Sequence, residues 1–473
     1  MSENSASGGT GSGSGTERWL FRALLALVAL APLPLASNRP LPAAILSLGA
    51  GLLLALWAGA LLTGRAEMAF APRKLRWPLG LFGAVALWIL IQALPLPPAW
   101  GDPVWREAGA ALGEPLRASL SVDPQATLSG LMRLLAYAAV FWLTLQLARA
   151  PDRARLAIAA AALIGAAYAL YGIGVYLAGN DWVTIYRKWA YHRALSSTFV
   201  NRNSYATFAG LGLLCATAWF VNSFRHLLGI KRPAARKAAM IAEEIFSRSL
   251  LRTACVLLLF IALVLTGSRA GIAASLIALF VLMLTHARSG SLRGGQALFV
   301  AALVAGIALL ALSLGGGLLL ERLSSAGSDV SADDRRAIYG ATLDAISSAP
   351  WTGTGYGTYE QVFAAYRPEA LSSSVLWDKA HNVYLENALE LGVPAMAALN
   401  LAIALLAVEA LRGLWRRRRE RTAPAIGVAA TVLVGLHSFF DFSLQMPAVA
   451  VFYAFLMGLA VTQAWPQARG RTG

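Results

Sequence analysis

Three side chains in this sequence are well suited to chemistry: His381, Arg202 and Arg269. His381 lies in Asp378-Lys-Ala-His-Asn-Val-Tyr-Leu-Glu-Asn-Ala-Leu-Glu-Leu-Gly392, a polar stretch that leads into an apolar segment. A neutral imidazole can take a proton from a hydroxyl near neutral pH, which lysine or arginine at that place does not readily do. The spacing predicts that Asp378 caps a helix starting near Lys379. His381 then falls in the first turn, with Tyr384, Leu385 and Ala388 on its face. The same histidine could instead satisfy a helix end or a hydrogen bond within a loop. Arg202 stands in Ser196-Ser-Thr-Phe-Val-Asn-Arg-Asn-Ser204 and Arg269 in Leu265-Thr-Gly-Ser-Arg-Ala-Gly271, each beside an apolar run. Charge at membrane depth costs at least ~2.5–3.5 kcal/mol on insertion scales and so calls for a partner or an anionic ligand. A guanidinium fork matches phosphate oxygens, and two forks match a pyrophosphate. Either arginine alone could simply snorkel to the interface.

The elements that must position these residues are membrane helices. The 473 residues are 58% hydrophobic and 14% charged, against roughly 25% charged in soluble domains. Apolar runs long enough to span a bilayer fall at approximately 19–35, 41–62, 77–95, 128–147, 156–177, 204–222, 253–267, 270–285, 297–320, 393–411, 424–439 and 447–465. The expected fold is therefore an all-α polytopic membrane protein of about twelve transmembrane helices. Residues 1–18 read as a disordered cytoplasmic tail without signal-peptide features, 19–465 as a single membrane domain, and 466–473 as a second cytoplasmic tail.

Arginine and lysine crowd alternate loops: 65–76, 149–155, 225–252, 288–293 and 412–421. The positive-inside rule makes that face cytoplasmic. The formal charge of +16 is thus a topology signal and a contact with anionic headgroups rather than a nucleic-acid footprint. The opposite face holds 97–127, 178–203, 267–269, the long loop 321–392 and 439–446, and with them all three candidate residues. Within the long loop, 333–346 has apolar residues at helical spacing, so a partly helical external unit is expected. Cys215 and Cys255 sit in apolar runs and imply neither a disulfide nor a metal pair, and no His/Cys cluster suggests a metal.

Four stretches carry a resemblance: Ser197-Thr-Phe-Val-Asn-Arg-Asn203, Leu265-Thr-Gly-Ser-Arg-Ala-Gly271, Pro350-Trp-Thr-Gly-Thr-Gly-Tyr-Gly357 and Ala380-His-Asn-Val-Tyr-Leu-Glu-Asn-Ala-Leu-Glu-Leu-Gly392. In order and placement they resemble the signatures of the O-antigen ligase superfamily, which includes O-antigen ligases, Wzy-type polysaccharide polymerases and O-oligosaccharyltransferases. The resemblance covers roughly residues 190–460. It implies a GT-C-like enzyme of the bacterial inner membrane with its active site facing the periplasm. Such an enzyme moves a glycan from undecaprenyl pyrophosphate to a hydroxyl on a glycan, lipid A core or protein, and needs no cofactor or metal. At matching positions it implies that Arg202 and Arg269 hold the pyrophosphate and that His381 activates the acceptor hydroxyl or orients the reacting groups.

Other candidates keep two readings. Asn203, Lys379, Tyr384, Gly355 and Asp441 are candidate substrate contacts. Lys379 can attract an anionic donor, while Tyr384 can line the acceptor cleft or simply pack. The Gly353-Thr-Gly-Tyr-Gly357 run lets backbone approach a phosphate or forms a turn. His437 and Asp441 pair with a catalytic group or make a structural hydrogen bond. Their segment, 437–447, resembles exopolysaccharide-associated members of the superfamily, which points toward polymerisation. Trp182, Tyr186, Trp189 and Tyr191 suit sugar stacking or an interfacial belt. A lipid-linked glycan flippase and a non-catalytic export component are the competing classes. A transporter would show related halves and broken midplane helices, and neither is visible in this sequence.

Overall fold

The computed structural model describes residues 14–192, 194–229, 249–288, 332–372, 377–417 and 420–466, with the single positions 236, 240 and 243. The candidate span at 297–320, the first part of the long loop, most of the basic stretch at 225–252 and both tails beyond these limits lie outside the described residues. The described chain is helical: α1 (Gly15–Leu30), α2 (Pro40–Leu62), α3 (Arg76–Ala93), α4 (Pro103–Leu112), α5 (Pro124–Leu147), α6 (Pro151–Leu177), α7 (Arg202–Gly229), α8 (Leu250–Leu265), α9 (Arg269–Arg288), α10 (Ala332–Ser348), α11 (Tyr359–Tyr366), α12 (Val383–Leu391), α13 (Val393–Arg416), α14 (Thr422–His437) and α15 (Pro447–Ala464). A two-residue strand pair, Trp182–Val183 with Tyr186–Arg187, interrupts the link from α6 to α7.

Helices occur at eleven of the twelve positions read from the sequence. Eight are long and apolar enough to cross a membrane, and α8 and α14 are shorter apolar helices. The first ends at Leu30 rather than near 35, because Pro32 and Pro34 cannot continue it and the chain turns through positive φ at Leu35, Ala36 and Ser37. Starts follow local chemistry. Proline occupies the first turn of α2, α5, α6 and α15, where its missing N–H costs nothing. Asp123 caps α5 by accepting from the Ala126 N–H at 3.0 Å.

Burial sorts the helices. In α7 and α15, 94% of the apolar window is buried, against 22% in α2 and 17% in α13. The first two form the centre of the bundle, in contact at Phe208 and Phe452, whose ring centroids lie 4.8 Å apart. The others turn Leu41, Ile45, Leu48, Leu52, Leu56 and Leu401 outward, a continuous apolar exterior that only lipid would cover. This is an all-α polytopic membrane protein.

The two ends of the bundle differ. At the basic end, Arg149 donates to the carbonyls of Trp465 (2.9 Å) and Pro466 (2.7 Å), and Arg417 donates to that of Gln463 (2.7 Å). Part of the basic set therefore caps the C-terminal carbonyls of α15, where a cation is favoured. At the other end, α10, α11 and α12 pack into a small unit around buried Ile338, Ala345, Tyr359, Phe363 and Leu389. That unit is tied to the loop that follows α14.

Candidate active site

Two helix starts bring the arginines together. Asn201 accepts from the N–H groups of Asn203 (2.7 Å) and Ser204 (3.0 Å), so α7 begins at Arg202. Ser268 accepts from the Gly271 N–H at 3.3 Å and starts α9 at Arg269. Arg202 Nη1 lies 3.4 Å from where a Cβ on Gly267 would stand, so its guanidinium rests on the turn that delivers Arg269. The Tyr191 ring is 5.7 Å from the Arg202 guanidinium carbon. Arg269 is exposed and makes no hydrogen bond or ion pair among the described residues. Asn203 is half-buried, and its side-chain amide also has no protein partner among them.

His381 arrives from the other side. The helix after it starts at Val383, four residues later than the sequence predicts. The cap is Asn382, whose side-chain oxygen accepts from Tyr384 N–H (3.0 Å) and Leu385 N–H (3.1 Å). Asp378 is not the cap. His381 itself has φ +52°, in the left-handed region, which no helix entering from 378 could continue through. Its position is fixed by ties between its own loop and the loop after α14. Val383 N–H donates to the Ser438 carbonyl at 2.9 Å. The Tyr339 hydroxyl of α10 stands 3.1 Å from the His381 carbonyl and 3.2 Å from the Phe439 carbonyl, so one proton bridges both loops. The Phe442 ring meets the imidazole edge-on, with centroids 5.0 Å apart.

These ties bring His381 Nδ1 to 3.5 Å from Asp441 Oδ1. Asp441 is wholly buried, while the histidine side chain keeps 11% of its surface. Nδ1 and Oδ1 are both buried and make no hydrogen bond at this separation, so the exposed surface belongs to the rest of the histidine side chain. The Ser443 hydroxyl donates to Asp441 Oδ2 at 2.9 Å. Its oxygen is 3.4 Å from His437 Nδ1, which also lies 2.6 Å from the Thr207 hydroxyl of α7. Burial alone would push the Asp441 pKa up; the neighbouring His381 and His437 and the Ser443 hydroxyl outweigh it and hold the carboxyl below its ordinary value. The Cε1 of His437 is 3.3 Å from a Cβ placed on Gly271. The histidine–carboxylate pair and the two arginine-bearing helix starts thus adjoin a single buried histidine.

The remaining candidates each have partners within the protein. Lys379 Nζ is 3.4 Å from Oε1 of Glu386, whose second oxygen accepts from Ala380 N–H at 3.0 Å. That pair clamps 379–380 onto α12, so the lysine charge is already matched by a buried carboxylate. Tyr384 is tied to α14: its hydroxyl donates to the Gly435 carbonyl at 2.9 Å and its ring is 4.5 Å from Phe439. Gly355 is a packing turn with φ +108°, and a Cβ there would stand 2.2 Å from Ser121 Oγ at the foot of α5. Trp182 and Trp189 are about half exposed on the 178–201 link. Cys215 and Cys255 are free thiols.

Sequence reasoning did not single out Tyr339, Thr207 or Ser443. Arg335, whose Nε is buried without a hydrogen bond, was also missed, as was Glu390. Glu390 accepts from Tyr359 N–H at 3.0 Å and is pushed up to about 7 by burial and by neighbouring Glu386. Only the amphipathic pattern at 333–346 hinted at the first and fourth of these.

No curated protein matches the chain. A family model described as O-antigen ligase matches residues 254–400. The matched segment runs from α8 into α13 and contains Arg269, Arg335 and His381; Arg202 and Asp441 lie outside it. Over residues 254–400 this membrane protein is similar to the O-antigen ligase family.

Proposed function

We propose that this protein transfers a glycan from a lipid pyrophosphate to an acceptor hydroxyl, at the face of the bacterial inner membrane that looks into the periplasm. The observation that carries this reading is the His381–Asp441 pair, 3.5 Å apart, adjoining the helix starts that hold Arg202 and Arg269. With Asp441 ionised against Nδ1, the imidazole keeps its Nδ1–H tautomer and presents Nε2 as the base. Nε2 takes the acceptor proton as the oxygen attacks the anomeric carbon. The bond to the pyrophosphate oxygen breaks and its electron pair stays with the pyrophosphate. The developing imidazolium is stabilised by Asp441, and the departing charge by Arg202 and Arg269 at two helix starts where anions are favoured. Direct displacement inverts the anomeric configuration. In this reading Lys379, Tyr384 and Gly355 shape the site without touching the donor.

The test is transfer by purified protein in liposomes, with extracted lipid-linked glycan, each candidate acceptor, and EDTA throughout. Longer lipid-linked chains mark a polymerase, whereas label on lipid A core or protein marks a ligase or oligosaccharyltransferase. His381→Asn, which keeps the left-handed backbone, is expected to abolish transfer. Full activity in that variant removes His381 from the mechanism. No transfer to any acceptor from intact donor removes the enzyme reading.

A further inference from the structure

At the basic end of the bundle, positive charge collects around two aromatic rings. Phe70, in the link before α3, and Trp465, just past α15, meet edge-on with centroids 6.3 Å apart. Lys74 Nζ lies 5.1 Å from the first centroid and 5.0 Å from the second, and it meets no carboxylate among the described residues. The guanidinium carbon of Arg416, at the end of α13, is 4.5 Å from the same Trp465 centroid, and that of Arg149 is 5.9 Å from Phe70. Cations outnumber acids here. Glu409 accepts from both Arg412 (2.7 Å) and Arg416 (2.8 Å), and Glu420 is shared between Arg155 (2.8 Å) and Arg417 (3.5 Å). Arg149 is close enough to Lys74 and to Arg417 to repel both. Gathering like charges this closely is unfavourable until an anion joins them.

The surroundings identify the anion. Helices α3 and α13 pack against each other, and their apolar windows are only 28% and 17% buried, so both face lipid. Beside the cluster they turn out Trp77 and Trp415, both mostly exposed, and the Arg76 guanidinium carbon lies 5.4 Å from the Trp77 ring centroid. Exposed tryptophan adjoining cations marks a bilayer–water boundary. The anions that crowd such a boundary are lipid headgroups.

We propose that Lys74, Arg76 and Arg416 bind the phosphodiester of an anionic phospholipid, between α3 and α13 in the leaflet at the basic end of the bundle. This site lies at the opposite end from the candidate active site and does not depend on the transfer reading. A bound headgroup supplies the missing counter-charge. It also ties α3 and α13 to the end of α15, the helix at the centre of the bundle.

Dioctanoyl phosphatidylglycerol, dioctanoyl phosphatidylcholine and inorganic phosphate, each titrated into the full chain in uncharged micelles, test this through affinity and melting temperature. Wild type is expected to bind phosphatidylglycerol and to melt higher with it. Lys74→Gln combined with Arg416→Gln is expected to bind it about tenfold or more weakly. Arg18→Gln combined with Arg65→Gln removes the same charge from exposed positions at the same end and is expected to bind as wild type does. Without anionic lipid, Lys74→Gln is expected to melt no lower than wild type, since it removes a charge that Arg149 repels. Wild-type affinity in the Lys74/Arg416 variant overturns the proposal, as does an equal loss in the two double variants, which would mean diffuse attraction. Equal binding of phosphatidylcholine overturns it too. Phosphate bound as tightly as phosphatidylglycerol would make this a site for a free anion and overturn the lipid assignment. Should the Lys74/Arg416 variant not fold, Lys74→Gln decides alone, because Lys74 is exposed; wild-type affinity in it overturns the proposal. Wild type that binds none of the three does the same.

Discussion

Replacing Asp441 with asparagine keeps the shape of the buried pair and removes its charge. At 3.5 Å, a carboxylate and an imidazolium attract by about 5 kcal/mol at an effective dielectric near 20. The asparagine dipole and relaxation around it recover part of this, leaving a loss of roughly 2–4 kcal/mol, or about 30- to 1,000-fold in rate. The loss belongs to kcat, because the imidazolium forms only as the acceptor gives up its proton; KM for the lipid-linked donor should move little. Single-turnover transfer in liposomes at saturating donor separates the two. Asp441→Asn with kcat within about threefold of wild type would refute the argument. A large rise in donor KM at unchanged kcat would do the same, since Asp441 would then be a substrate contact.

Three further outcomes follow from the same geometry. Arg202→Ala and Arg269→Ala should each weaken undecaprenyl pyrophosphate binding by about tenfold or more, with lysine restoring part of it; a titration with either variant at wild-type affinity would take that arginine out of the donor site. Gly355→Ala should destabilise by at least about 2 kcal/mol, read as a lower melting temperature, from overlap with Ser121 and a φ of +108°. Glu390, raised toward about 7 from 4.5, favours the folded state fully below pH 4.5 and loses that contribution as pH rises to about 7. Glu390→Gln should therefore stabilise the protein above pH 7, by at most about 3 kcal/mol, and lose its advantage near pH 4.5; a melting-temperature difference that does not change with pH would contradict this.

The membrane helices were legible because a bilayer imposes one length and one composition, and Leu41 to Leu56 on α2 or Leu401 on α13 obey it without reference to any neighbour. Helix α4 was missed because it is short and mixed in composition, inside what reads as a loop. The start of α12 was misplaced because Asp378 and Asn382 are both capable caps, and only the left-handed backbone at His381 decides between them. Residue type and membrane side singled out Arg202, Arg269 and His381. What they touch was not legible: His381 and Asp441 meet only because Tyr339 and Val383 join loops far apart in sequence. Lys379 and Tyr384 carry the residue types of ligand contacts, yet their partners, Glu386 and the Gly435 carbonyl, are decided by tertiary packing. Arg335 reads in sequence as one more charge on an exposed helix, and nothing local distinguishes it from Arg336.

The left-handed backbone at His381 means that the main chain aims the imidazole, with its rotamer playing a smaller part. Glycine adopts the same φ without strain. A glycine there would therefore leave the loop in place and open a ring-sized vacancy bounded by Asp441 and Phe442. Free imidazole is the molecule that fits this vacancy, and its carboxylate partner is already positioned. The site thus lends itself to chemical complementation: if His381 is the base, as proposed, that base can be made a diffusible reagent and its basicity varied with substituted imidazoles while every other group stays where it is.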